Sequence, residues 1–421
     1  MKRVLLLLPT TGYRNEDFLA AAKRLEVEVI GVANYCHQLA PSWGMSPIRS
    51  VPFDQPVAAL KQLQSALGRK PDAVLAVDDS GLDLAALLCE YLYLPGNSPE
   101  AVRRTRDKLA FRDLLQGAGL HHPDFFHLDK DAQALSLPPP LRFPVVVKAR
   151  RLSASRGVIR ADTLQAYARA VHWVRGIQAK ADRDAAALGV IVENFIPGSE
   201  HVLEGLLRNG RLRVLALIDK PDPLDGPYFE ETMYVTPSRL TQERQAEIAQ
   251  TVQRACTLAG LESGPIHAEM RVNEQGVWLL EVAARSIGGL CGRMLRPALG
   301  MSLEELILRD ALNFPVPEVG RSAANGVMMI PIPRHGIFQG VRGRETALAL
   351  AGISDIRITA SPGQLISAPP EGAGYLGFIF AQGTSPDEVE SGLRRALQEL
   401  QFDIQTEIPL SELRIQEPIS K

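Results

Sequence analysis

The chain has 421 residues, 46% of them hydrophobic, with 46 basic and 48 acidic side chains and a formal net charge of −2. That is material for several packed domains, and with no basic excess or long run of like charge no nucleic-acid partner is expected. The four cysteines, Cys36, Cys89, Cys256 and Cys291, form no CxxC pair, which excludes a zinc ribbon or disulfide framework and fits reduced thiols.

Residues 4–8 are an apolar run ended by Pro9, too short for a signal-peptide core and read as a buried first strand. No stretch approaches the roughly 18 apolar residues of a membrane helix, so a soluble, cytoplasmic protein with no membrane partner is expected. A helix over 16–25, a strand over 27–33, a helix over 57–67, a strand over 73–77 and a helix over 82–93 follow. This βαβ alternation implies a parallel sheet covered by helices. The first loop, Thr10-Thr11-Gly12-Tyr13, lacks GxGxxG, so nothing there supports dinucleotide binding.

Ser98 as N-cap and Pro99 as first helical residue open a helix that runs through Lys108 to about Gln116, where Gly117 and Gly119 end it. Three prolines at 138–140 mark a surface connection. A strand over 144–150 carries Lys148, a small-residue loop spans 152–158, and a helix runs over 163–175. A strand over 190–196 leads into Pro197-Gly198. Strands over 200–207 and 211–219 form a hairpin about Asn209-Gly210. Residues 219–227 are a loop, and 242–259 are helical. Ser302 and Glu305 make a capping box for a helix over 302–313. Beyond 317 the chain is rich in short β-like pieces, with one helix over 386–400. Expected boundaries are an N-terminal domain 1–97, a connecting helix and small lobe 98–189, a large lobe 190–317 and a β-rich C-terminal domain 318–421.

The segment 266–289, IHAEMRVNEQGVWLLEVAARSIGG, carries the most specific chemistry. The turn Asn273-Glu274-Gln275-Gly276 suits a three-residue loop with a left-handed glycine. Asn273 then pairs with Val277, and Glu269 faces Glu281. Facing Cβ atoms lie about 4.5–5.5 Å apart, where like charges repel. A divalent cation such as Mg²⁺ removes the conflict. A four-residue loop instead shifts the register by one and puts the two glutamates on opposite faces. His267 shares the face of Glu269.

Elsewhere, Lys148 ends an apolar strand before a loop whose backbone N–H groups suit phosphate oxygens; the alternative is a surface lysine beside an ordinary loop. Glu193-Asn194-Phe195-Ile196 sits where a strand runs out and suits a flat heteroaromatic base, with Glu200 placed for ribose hydroxyls; solvent exposure is the alternative for each glutamate. Lys220, before a Pro-rich loop, is placed to reach a γ-phosphate.

Taken in order, RRTRDK with Lys108, VVVKARRLSASRGV with Lys148, IVENFIPGSEHVLEG and the carboxylate hairpin resemble the ATP-grasp superfamily over about residues 1–315. The resemblance implies an α/β ATP-grasp fold, with an N-terminal parallel-sheet domain and a two-lobed core. Lys108 and Lys148 would hold ATP phosphates under a lid of Ser153, Ser155, Arg156 and Gly157. Glu193 with the backbone of Phe195 and Ile196 would bind adenine, Glu200 the ribose, and Glu269 and Glu281 two Mg²⁺ ions, with Mn²⁺ as substitute. Ala283 stands where many members place a ligating Asn, which leaves the second ion to Glu281 and water. E-V-A-A-R-x-x-G-G resembles the L-amino acid ligase branch, which joins two amino acids through an acyl phosphate. That implies substrate contacts at Glu231, Tyr234, Gly288 and Gly289; the alternative for Glu231 is a loop glutamate in the acidic pair Glu230-Glu231. Tyr234 replaces the branch's histidine. Arg285 would grip the carboxylate or acyl phosphate; the alternative is a salt bridge to Glu281. A homodimer is a family-level expectation. Open alternatives are a ligase for a non-standard acid and amine, a biotin-carboxylase-type enzyme, and a nucleotide-binding module without catalysis.

Overall fold

A computed structural model describes every residue except 11, 35–48, 182–186, 317, 319–322, 371, 373 and 407–421, so Cys36 lies outside the described residues. The apolar run near the N-terminus forms the strand Arg3–Leu8, buried on both faces. It pairs in parallel with Glu28–Ala33 and Ala73–Ala76, and Arg49–Ser50 completes a four-stranded parallel sheet. Helices Asn15–Arg24, Pro56–Ala66 and Leu82–Leu92 cover it, as the alternating pattern implies.

The expected single helix over 98–116 is two, Pro99–Arg106 and Lys108–Gly117. Asp107 breaks it. Its carboxylate accepts from the Leu109 amide at 3.1 Å and takes the Arg150 guanidinium, so it caps a new helix rather than continuing the old one. Lys108 therefore opens a helix rather than lying within one.

The small lobe is an antiparallel sheet of Phe125–Leu128, Val190–Asn194, Val145–Ala149 and Val158–Ala161, backed by the helix Leu164–Ala181. The large lobe is built on Ser199–Arg208 and Arg211–Lys220, joined by Asn209 (φ +51°) and Gly210 (φ +73°) in a two-residue primed turn. Ser263–Asn273 pairs with Ser199–Arg208, and Gly276–Ala283 forms the edge. The helix Gln242–Ala259 covers the apolar face, with Thr241 as N-cap and Gly260 left-handed at the C-cap.

One sheet has strands on both sides of the boundary expected at 318. Met233–Thr236 pairs with Ala324–Ile330, which pairs with Gly377–Gly383 and then Ile353–Ile358, so eight strands run from the hairpin to the C-terminal region. The capping box at Ser302 is half made. Its hydroxyl accepts from the Glu305 amide, but the Glu305 carboxylate turns to Arg24 and Arg309. Among the described residues no helix is long and apolar enough to cross a membrane, and Cys89, Cys256 and Cys291 are free and buried.

Candidate active site

The three layers meet around a cavity of about 510 Å³. Of the residues singled out above, Lys108, Lys148, Ser153, Ser155, Arg156, Glu193, Phe195, Ile196, Glu200, Glu231, Tyr234, Glu269, Glu281, Arg285, Gly288 and Gly289 line it; Gly157 and Lys220 do not.

The hairpin turn is tighter than either loop expected. It has two residues, with Asn273 opposite Gly276 and the Asn273 side chain accepting from the Gln275 amide and the Trp278 indole. Gly276 (φ +131°) is not in the left-handed helical well. A bulge beyond it restores the pairing, so Glu269 does stand opposite Glu281. His267 bridges Glu204 and Glu269. Burial opposes its charge, but Glu204 and then Glu269 outweigh burial and raise the imidazole to about 9. The other Glu204 oxygen accepts the Ile287 amide at 3.1 Å, tying the carboxylate strand to the loop beyond Arg285.

Lys148 sits opposite Ile191, so Glu193, two residues along the neighbouring strand, is its diagonal neighbour. Lys148 Nζ lies 2.7 Å from Glu193, whose other oxygen is 2.8 Å from the fully buried Arg112. Burial opposes the Glu193 charge, but Arg112 and then Lys148 hold the carboxyl down to about 2. Lys108 donates to the Leu152 carbonyl at 2.7 Å and lies 3.6 Å from Glu281, so it spans lid and hairpin.

At the hinge the Phe195 ring lies between Arg160 and Arg271, at 4.3 and 4.7 Å. The Phe195 amide already donates to the Pro144 carbonyl; the Ile196 amide has no hydrogen-bond partner among the described residues. Gly157 turns the loop 152–158 by its conformation. Its φ is +64° and an added Cβ would press on Ala149. Lys220 departs from expectation. It is buried between Glu200 at 2.8 Å, Glu231 at 2.6 Å and Glu269 at 3.6 Å, and three carboxylates hold its ammonium away from the cavity wall.

Arg285 does not hydrogen-bond Glu281. Its Nε donates to Asp79 at 2.8 Å, across from the parallel-sheet domain. Burial opposes its charge, but Asp79 and then Glu281 outweigh burial and hold the guanidinium above its ordinary value. Sequence reasoning missed Asp79, Arg112, Arg271, Phe229 and Tyr375. Only Arg271 carried a signal, being two residues beyond Glu269 on the same strand face.

The fold implies Mg²⁺, and the donors fit it. Two hard carboxylates face each other, with Lys108 3.6 Å from Glu281 and with Lys220 at 3.6 Å and His267 at 3.0 Å from Glu269 behind them. Among the described residues no group of three or more His, Cys, Asp or Glu side chains is placed to hold a metal, so phosphate oxygens and water would complete the shell.

This fold and site define an ATP-grasp ligase. The chain carries an ATP-grasp domain over residues 141–294 and an L-amino acid ligase C-terminal domain 2 over residues 328–405. It is 30% identical to carnosine synthase 1 of Gallus gallus over 69% of this chain and 33% of that one. It is 27% identical to alanine–anticapsin ligase of Bacillus subtilis over 58% of this chain and 54% of that one. The chain thus spans about a third and about half the length of these two relatives. The crystal structure of L-amino acid ligase from Bacillus licheniformis superposes with a TM-score of 0.80 at 26% identity, covering 96% of this chain and 99% of that one.

Proposed function

We propose that the chain joins the carboxylate of one amino acid to the amine of another, using ATP and releasing ADP and phosphate. The observation that carries this is one cavity holding a facing carboxylate pair, two lysines and an arginine locked by Asp79. The likeness to carnosine synthase, alanine–anticapsin ligase and L-amino acid ligase supports an amino acid on each side of the new bond.

In this reading Glu193 and the free Ile196 amide take adenine, with Phe195 fixing the hinge, and Glu200 accepts from the ribose. Lys108, Lys148 and the lid residues Ser153, Ser155 and Arg156 hold the phosphates, and Gly157 lets the lid turn. Mg²⁺ on Glu269 and Glu281, when bound, supplies Lewis-acid neutralisation of phosphate charge. A second ion would lean on Glu281, because Ala283 cannot ligate. Arg285 offers its planar fork to the substrate carboxylate, lowering repulsion as its oxygen attacks the γ-phosphorus. The resulting acyl phosphate is attacked by the second amine at carbon, phosphate leaves, and the lid keeps water out meanwhile. Glu231 faces an ammonium group, and Tyr234, Gly288 and Gly289 shape the side-chain space. Lys220 holds Glu200, Glu231 and Glu269 in place rather than reaching the γ-phosphate.

The test is mass spectrometry of products formed from ATP, Mg²⁺ and amino-acid pools, with phosphate release followed in parallel. Release that needs two amino acids, with a dipeptide mass, is expected. Release with bicarbonate alone would favour the carboxylase reading, and no release with any acid would overturn ligation. Homodimer assembly is part of the same proposal, and sedimentation decides it.

A further inference from the structure

The two-residue turn and the facing glutamates are incompatible in a regular ladder. Starting from Asn273 opposite Gly276, uninterrupted pairing brings Leu280 opposite Glu269 and turns Glu281 to the face of Ala268. That face is apolar core, shared by Ala268, Met270, Val277, Leu279 and Val282. The chain avoids this by one extra residue. Met270 pairs with Leu279, Glu269 pairs with Glu281, and both Leu280 and Glu281 line the cavity. A bulge leaves one residue out of the ladder. The apolar phase puts that residue between Leu279 and Val282, and contacts from outside the hairpin decide whether it is Leu280 or Glu281.

Arg112 is that element. It lies on the helix Lys108–Gly117, is fully buried, and has been described above only as the charge partner of Glu193. Its Nη2 donates to the carbonyl of Leu280, the bulged residue, at 2.8 Å. Its Nε lies 2.8 Å from Glu193 on the hinge strand. Just before the bulge, the Leu279 amide donates to the carbonyl of His121, in the loop that follows the same helix. A buried guanidinium facing only a carbonyl would be costly, and Glu193 supplies its counter-charge. The planar guanidinium then hydrogen-bonds the Leu280 carbonyl while pairing in charge with Glu193 on a different element, a placement that an ammonium on a flexible stem does not reproduce.

We propose that Arg112 is a positioning residue that pins the bulge at Leu280, so that Glu281 rather than its neighbours faces Glu269. The proposal rests on the reading that these two carboxylates hold the metal. The same guanidinium joins the adenine hinge to the metal hairpin, so base and metal are placed by one side chain.

Deleting Leu280 gives a direct test, because it leaves perfect alternation from Val277 to Arg285 and keeps Glu281 opposite Glu269 with no bulge to pin. The probe is Mn²⁺, titrated into the ADP complex and followed by electron paramagnetic resonance, with melting temperature recorded for each variant. Arg112→Lys, which retains the charge Glu193 needs, is expected to weaken Mn²⁺ on the order of tenfold, as loss of support behind a metal ligand does. In the Leu280-deletion background the same substitution is expected to change Mn²⁺ affinity by less than about twofold. An equal loss in both backgrounds, or no loss in Arg112→Lys, overturns the proposal. If Arg112→Lys does not fold, Arg112→Gln is carried through the same two backgrounds: a loss confined to the full-length background supports the proposal and an equal loss in both overturns it. If Glu281→Gln leaves Mn²⁺ affinity untouched, the metal reading itself has failed, a result distinct from either.

Discussion

Glu281 and Arg285 stand four residues apart, yet one answers to a strand partner and the other to the N-terminal domain. Their substitutions should therefore differ in kind. Glu281→Ala is expected to cut ATP consumption at least about 100-fold with the fold intact, since it removes charge aimed at the transferring phosphoryl group. Full ADP formation by a folded variant would remove Glu281 from the metal site. Arg285→Ala is expected to lose ligation by a similar factor while ADP affinity moves by less than about threefold, the pattern of a residue that serves the acid substrate rather than the nucleotide. Equal losses in both would assign it to nucleotide binding. Glu193 adds a pH signature. Its carboxyl is held down to about 2 when folded, against an ordinary value of 4.5. The folded state therefore binds fewer protons here than the unfolded one. The stabilisation is fully present above pH 4.5 and is lost as pH falls from 4.5 through 2. The melting-temperature gap between wild type and Glu193→Gln should be widest near neutrality and narrow across that window; a constant gap would mean the carboxylate charge does not matter.

Among the elements, those with strong local signals were legible before any coordinates. Asn209-Gly210 specified its turn because both central residues need positive φ, and the helix read over 242–259 has those bounds, with Thr241 and Gly260 found as its caps. Gly210→Ala is expected to cost about 1 kcal/mol of stability, read by denaturant titration, and to leave turnover unchanged. A change in turnover would tie this distant turn to the site. The carboxylate hairpin was read with the right partners and the wrong turn. The bulge was in fact written in the apolar phase, where Val277 and Leu279 are followed by Val282 and Ala284, a step of three in a pattern of two. The break at Asp107 had a weaker signal, since Asp inside a helical run becomes a cap only when something such as Arg150 holds it.

For the whole molecule, what could not be read was the meeting of distant parts. Asp79 is 206 residues from Arg285 in sequence, and Tyr375 enters the cavity from the C-terminal strands. Neither has a local pattern that announces it, because the contact exists only once the layers stack. The sheet carries the same lesson. Residues 324–330 and 377–383 continue it from Met233–Thr236, so a chain ending at residue 316 exposes that short strand as an unpaired edge. Such a chain is expected to aggregate, and recovery of a soluble, nucleotide-binding monomer by gel filtration would show that the lobes fold without the C-terminal strands.

The joint between the two halves of the sheet is the four-residue strand Met233–Thr236, and Tyr234 lies within it, pairing with Val327 while its ring lines the cavity. Evolvability is constrained there: a change that retunes the pocket at Tyr234 also disturbs the seam. Gly288 carries no such burden. A Cβ added there meets nothing within 4 Å, and the residue lines the same cavity. New substrate preferences should arise at Gly288 in proteins that still fold, whereas at Tyr234 most variants will vanish before their specificity can be selected.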